Sequence, residues 1–212
     1  MHIPDGFLGA EVFAPAWIFS AAAVWATSKK ASVKNENKTI PLLGVVSSFI
    51  FAAQMLNFPV VGGSSGHLIG GTLAAVILGP YLGFLSIVIV LVIQCLVFQD
   101  GGVTALGANI FNMAFIGSFV SYFLYSFLLK HLGKKRRIAA VALASWLSVV
   151  IAALACSFEL ALSGTAPLAA VLPAMLFVHT FIGIGEALIT SMTLSFVFNV
   201  RPDIAFDPEG IL

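Results

Sequence analysis

The sequence predicts an all-α integral membrane protein, a bundle of seven transmembrane helices with the N-terminus outside and the C-terminus cytoplasmic. Three observations carry that prediction. The first is composition: 60% of the 212 residues are hydrophobic and 9% are charged, against about 25% charged in ordinary soluble domains. Mean hydropathy is +1.07. No soluble core needs so much apolar side chain, so a soluble globular enzyme is excluded. Ten Lys and Arg against nine Asp and Glu are also too few charges for a disordered tail, a disulfide scaffold or a nucleic-acid binder. The second observation is a series of apolar runs near the length that crosses a hydrocarbon core of about 30 Å. The third is the placement of the basic residues.

Taken in order, the apolar runs cover 11–28, 40–58, 82–99, 107–129, 138–162 and 168–199, with a shorter piece at 66–79. The short piece follows Gly62-Gly63-Ser64-Ser65-Gly66 and ends at Gly79-Pro80, a helix-breaking pair. As one helix, 66–98 would be about 50 Å long, which overshoots the membrane. Charge gives an independent test. Lys29, Lys30, Lys34 and Lys38 form one cluster, Lys130, Lys134, Lys135, Arg136 and Arg137 a second, and Arg201 stands near the C-terminus. The positive-inside rule puts all of them in the cytoplasm, so an even number of crossings separates the first two clusters. Splitting at Gly79-Pro80 satisfies that count. The outside loops then carry Asp5, Glu11 and Asp100 and no basic residue. The first ten residues lack a charged n-region, so no conventional cleaved signal peptide is expected. Met1 is expected to survive, because methionine removal favours a small second residue and His2 is large. Glycines before a short span suggest irregular backbone at membrane depth, which is tolerated where protein buries it or where it lines a cavity.

No GxxxxGK[ST] loop is present to cradle ATP phosphates, and no HExxH helix. Cys95 and Cys156 sit singly in apolar spans and read as small core hydrophobes. The opening Met1-His2-Ile3-Pro4-Asp5-Gly6 is different. A free α-amine, the next amide nitrogen and Nδ1 of a histidine at position 2 close a five-membered and then a six-membered chelate ring. Amide nitrogen binds only when deprotonated, which Ni²⁺ and Cu²⁺ promote. A fourth nitrogen would complete the square plane diagnostic of those ions. The plain alternative is a frayed terminus with a solvated histidine. His67, after Gly66 on the same outer side, is a candidate fourth ligand if the first ten residues fold inward. Pro4 and Gly6 favour such a bent entry, and Phe7 and Leu8 suit the bundle interior. His131 lies in a basic cytoplasmic loop and reads as solvated.

Polar residues within spans call for a functional hypothesis: Gln54, Asn57, Gln94, Asn109, Asn112, Glu159, His179 and Glu186. His179 and Glu186 are seven apart and share a helix face. They suit either a cation or proton relay or hydrogen bonding between helices. Asn57, Asn109 and Asn112, with Asp5, Ser64 and Ser65, are candidates for a second shell around the N-terminal loop. Small residues recur at Gly71, Ala75, Gly79 and Gly83, and at Ala140 and Ala144. They suit packing within the chain or a face for a partner subunit.

The opening Met1-His2-Ile3-Pro4-Asp5-Gly6-Phe7-Leu8 resembles the start of the CbiM/NikM family, the cobalt- and nickel-capturing S components of energy-coupling factor (ECF) transporters. Three further blocks resemble that family in order: Asn57-Phe58-Pro59-Val60 through Gly66-His67-Leu68-Ile69-Gly70-Gly71; Gln99-Asp100-Gly101-Gly102 leading to Gly107-Ala108-Asn109-Ile110-Phe111-Asn112-Met113; and Gly183-Ile184-Gly185-Glu186-Ala187-Leu188-Ile189-Thr190. Pro4-Asp5 is closer to the nickel branch. The resemblance implies one transmembrane metal-capture domain over 1–212, with residues 1–10 as an N-terminal loop plugging the bundle. It implies Met1, His2 and His67 as metal ligands, with Ni²⁺ or Co²⁺ as substrate and no cofactor. It implies as partners a transmembrane coupling subunit and a pair of ATPases, often with a small extra membrane component, in the plasma membrane of a prokaryote. The absent ATP-binding loop fits hydrolysis in partner subunits. Two other readings remain: a stand-alone secondary permease using Glu159, His179 and Glu186, and a metal-dependent membrane enzyme with an open coordination position and a nearby carboxylate.

Overall fold

The computed structural model describes residues 1–31, 36–60 and 64–206. Lys34, Gly62 and Gly63 of the sequence-based expectations lie outside the described residues. The described chain is built of helices: α1 (Ala10–Lys30), α2 (Glu36–Gln54), α3 (Gly71–Phe98), α4 (Leu106–Leu132), α5 (Arg137–Leu162) and α6 (Leu168–Val200). Five of these, α1 and α3 to α6, are long and apolar enough to cross a membrane; Lys38–Gln54 of α2 is a shorter apolar helix. Their outward faces stay apolar, with Ile18, Trp25, Leu96, Phe177 and Met192 all exposed. Regular helix pairs backbone polar groups internally, which a hydrocarbon solvent demands.

The break predicted at Gly79-Pro80 is present. Gly79 has φ +82° and is non-helical. A Cβ added to Gly83 would lie 2.7 Å from the Cα of Ala75, although residues eight apart in a straight helix are separated by about 12 Å. The chain therefore doubles back at Gly79, and α3 is a pair of limbs, 71–78 and 80–98. Pro80 has no N–H to give the carbonyl of Val76. That carbonyl instead accepts from Phe206 N at 3.0 Å, and the Phe206 ring packs on Gly79.

The structure corrects two expectations. The predicted span 66–79 is helical only from Gly71, which leaves a first limb about 12 Å long, well short of a bilayer. The chain is also not purely helical. An antiparallel hairpin of β1 (Phe58–Val60) and β2 (Ser64–Gly66) pairs Phe58 with Gly66 and Val60 with Ser64. Irregular backbone here is held by buried protein groups rather than by lipid. The small residues serve packing within the chain. A Cβ on Gly71 would lie 2.1 Å from the carbonyl oxygen of Gly117 in α4, and Ala75, Ala140 and Ala144 are fully buried. Residues Ile110–Val120 within α4 are π-helical, a widened pitch often found beside functional sites.

Candidate metal centre

The N-terminal segment is part of the core. Met1 and Ile3 are fully buried and His2 is 4% exposed. Hydrogen bonds hold the segment like a short strand. Ile3 N donates to Asn109 Oδ1 at 2.9 Å, while Ile3 O accepts from Asn109 Nδ2 at 3.1 Å and from Gly102 N at 2.9 Å. Outside that clamp, the Asp5 carboxylate accepts from Val103 N (3.1 Å), Thr104 N (2.7 Å) and Thr104 Oγ1 (2.5 Å). The Thr104 hydroxyl is the main cause that lowers the Asp5 pKa, with the two backbone amides adding to it. Gly6 turns the chain at φ +81°, and Thr165 donates to the Phe7 carbonyl.

The α-amine of Met1 lies 2.7 Å from His67 Nε2 and 3.3 Å from Ser65 Oγ. His67 Nδ1 faces the Leu68 carbonyl at 2.7 Å. A carbonyl only accepts, so Nδ1 carries the ring proton and Nε2 presents its lone pair to the amine. The His2 ring stacks on that of His67, with centroids 4.6 Å apart. The His2 amide donates to Ser65 Oγ at 3.1 Å. The Met1 amine thus touches His67 Nε2, the His2 amide shares the Ser65 hydroxyl with that amine, and the His2 ring lies over that of His67. Two adjacent corners of a square around an ion with bonds of about 2 Å stand about 2.8 Å apart, and the amine–His67 separation matches that spacing.

Electrostatics prepares these nitrogens as bases. Burial lowers the pKa of the Met1 amine from 8.0 to about 5, with the Asp100 carboxylate opposing the shift. Burial, with the neighbouring terminus adding to it, also pushes His2 and His67 well below the ordinary histidine value. Each shift favours the neutral form that metal ligation requires.

The loop that presents His67 is clamped from two sides. Glu186 of α6 accepts from Ile69 N at 2.6 Å and Gly70 N at 2.9 Å, and Gln54 Nε2 donates to the Ile69 carbonyl at 2.7 Å. Gly70 has φ +75° and stands against Ile50, leaving no room for a side chain. The other candidates fall in several places. Asn109 and Ser65 touch the N-terminal segment, and Asp5 anchors it. Asn57 binds Asp100 at 2.9 Å. Ser64 meets Cys156 Sγ, and Asn112 binds Glu159 at 2.6 Å rather than the terminus. Glu159, His179 and Glu186 are not in contact. His179 Nδ1 donates to the Met175 carbonyl at 2.9 Å, and the two carboxylates are engaged as above. Among the described residues no group of three or more His, Cys, Asp or Glu side chains could hold a metal ion. A ligand set at the terminus would therefore have to include backbone nitrogen. The Glu186 clamp was not foreseen; its only signal in the sequence was a carboxylate inside a span.

Close packing at Gly102 gives a test of how the N-terminal segment is seated. A Cβ there would lie 2.2 Å from Asp5 N, a backbone atom that cannot yield without moving the segment. Gly102→Ala is expected to weaken metal binding by tenfold or more, measured by chelator competition, because small ligand displacements carry costs of about that size.

Comparisons with known proteins place the whole chain among metal-transport proteins. The sequence model of the family described as "Cobalt uptake substrate-specific transmembrane region" (CbiM) matches residues 2–204. A protein of Archaeoglobus fulgidus named as a fused nickel transport protein, NikMN, is 40% identical over 206 residues, covering 96% of this chain and 68% of that one. The cobalt transport protein CbiM of Acetoanaerobium sticklandii is 36% identical over 174 residues, covering 77% of this chain and 67% of that one. A crystal structure of a transition metal transporter superposes with a TM-score of 0.87 at 35% identity, covering 94% of this chain and 93% of that chain.

Proposed function

The chain belongs to the CbiM family of cobalt-uptake transmembrane proteins, whose relatives are nickel and cobalt transport proteins of the membrane, and from that premise we propose that it is the capture subunit of a transition-metal importer. It takes Ni²⁺, with Co²⁺ as a second substrate, from the outer side into a square of four nitrogens: the Met1 amine, the His2 amide, His2 Nδ1 and His67 Nε2. The carrying observation is the buried 2.7 Å contact between the Met1 amine and His67 Nε2. Four nitrogens in a plane select against ions that prefer oxygen ligands or a tetrahedron. The set leaves no open position for catalysis, which favours capture over an enzymatic role.

In this reading seven helical segments form the bundle, counting both limbs of α3, with the N-terminus outside and the C-terminus cytoplasmic. The basic clusters at the α1–α2 and α4–α5 connections support that sidedness. The chain is the S component of an ECF complex. ATP is hydrolysed by a partner ATPase pair acting through a transmembrane coupling subunit, with a small additional membrane subunit alongside. The purified chain is expected to bind one Ni²⁺ with the absorption of a square-planar nitrogen complex, and His67→Ala is expected to lose both. Unchanged binding in His67→Ala would overturn the site.

Acid is expected to weaken capture, because protons and metal compete for the same nitrogens. At pH 7 the amine and both imidazoles are already neutral, so one proton, that of the His2 amide, leaves per ion. Affinity should rise about tenfold per pH unit there. As pH falls through about 5, the Met1 amine takes a proton, a second proton competes, and the slope steepens. Calorimetry in buffers of different ionisation enthalpy counts the protons directly.

A further inference from the structure

Loading the four-nitrogen site leaves a charge to be balanced. A divalent ion bound by one deprotonated amide carries a net +1, surrounded by Met1, His2 and His67, none more than 4% exposed. A buried charge without a partner is strongly unfavourable. The other acidic groups near the terminus are already engaged: Asp5 by Val103 and Thr104, Glu186 by Ile69 and Gly70, Glu159 by Asn112. Asp100 is placed differently. Its Oδ2 lies 3.8 Å from His2 Nε2, the only carboxylate–imidazole approach of that length among the described residues. His2 Nε2 is buried and has no hydrogen-bond partner.

The position of Asp100 is built into the fold. Asn57 Nδ2 donates to Asp100 Oδ2 at 2.9 Å, and the Asp100 amide donates to the Gln94 carbonyl at 3.0 Å after a left-handed Gln99. The next two residues also press on the terminal segment. A Cβ on Gly101 would stand 3.2 Å from His2 Nδ1, and Gly102 N donates to Ile3 O. The turn 100–102 therefore lies on the His2 ring, with the carboxylate at its Nε2 edge. The carboxylate side chain is 20% exposed, so it also meets the outside.

We propose that Asp100 is a positioning residue of the metal centre: held by Asn57, its carboxylate is the counter-charge of the loaded site and fixes the His2 ring with Nε2–H toward itself and Nδ1 toward the ion. The inference rests on the four-nitrogen reading given above. Coordination at Nδ1 draws electron density from the ring and makes Nε2–H a stronger donor, so the Asp100 contact strengthens when metal arrives. Carboxylates behind ligating histidines typically change metal affinity by about 10- to 100-fold.

The test uses the intact chain in detergent, with Ni²⁺ as probe and a competing chelator to set the free concentration. The parent, His67→Ala, Asp100→Asn and Glu11→Gln are compared. Asn at position 100 keeps an oxygen for Asn57, so it removes charge while sparing that hydrogen bond. Glu11 is an exposed carboxylate in the first turn of α1, and Glu11→Gln controls for bulk charge. Asp100→Asn is expected to bind at least fivefold more weakly while showing the parental absorption spectrum at saturation, with Glu11→Gln unchanged. A loss below fivefold, an equal loss in Glu11→Gln, or an altered spectrum would overturn the assignment of Asp100 while leaving the site intact. Parental binding in His67→Ala would instead remove the four-nitrogen site, and the role of Asp100 with it.

Discussion

One residue added ahead of Met1 is expected to weaken Ni²⁺ binding by at least a hundredfold. The added residue turns the α-amine into an amide and leaves every side chain of the chain unchanged. A four-ligand site is worth roughly 10–16 kcal/mol, so one ligand represents about 2.5–4 kcal/mol, roughly two to three decades of affinity. Steric loss adds to this. Met1 is fully buried, and its nitrogen sits between His67 Nε2 and Ser65 Oγ, so an extra residue cannot be housed while the Ile3–Asn109 clamp is kept. Chelator competition with the native and extended chains measures the effect. Equal binding by the two would mean that the ion is held elsewhere, and a route through Glu159, His179 and Glu186 would then replace the terminal site.

The large features were legible because each follows from one strong constraint. A hydrocarbon solvent forces helices, and apolar runs located them to within a few residues. Gly79-Pro80 announced the reversal in α3, since a proline cannot donate and a glycine accepts φ +82°. Met1 and His2 stood out because a terminal amine followed by histidine can form a chelate whatever the fold around it, and the structure packs that amine against His67 Nε2. What escaped depends on tertiary contact. Three-residue strands carry too little pattern to show the pairing of Phe58–Val60 with Ser64–Gly66. Asn109 and Asn112 are three apart in sequence, yet one clamps Ile3 and the other binds Glu159; no spacing rule separates them. Asp100 read as an outer-loop charge until the turn at Gly101 and Gly102 placed it beside His2. Glu186 read as either a relay carboxylate or a hydrogen-bond partner between helices, and the backbone amides it accepts from lie more than a hundred residues away.

That last residue carries the second large expectation. In Glu186→Ala the amides of Ile69 and Gly70 lose their shared acceptor inside the bundle. Hydrogen bonds to a charged group contribute about 1.5–3 kcal/mol each, so the metal-free protein should lose about 3–6 kcal/mol of stability. The Gln54 hydrogen bond to the Ile69 carbonyl would remain, but without the carboxylate on the opposite side. His67 stands two residues before Ile69, so the metal centre should loosen with the loop, and Ni²⁺ affinity should fall by tenfold or more. Glu186→Gln retains one acceptor oxygen, and its losses should be intermediate in both measurements. Thermal unfolding in detergent and chelator competition on the same preparations supply the two readouts. A clamp predicts that stability and affinity fall together, in the order Gln then Ala. A relay carboxylate predicts the reverse separation: Glu186→Gln would abolish transport while stability and capture stayed at parental values. The paired hydrogen bonds to Ile69 and Gly70 commit both oxygens of Glu186 to the backbone, which is the arrangement of a clamp.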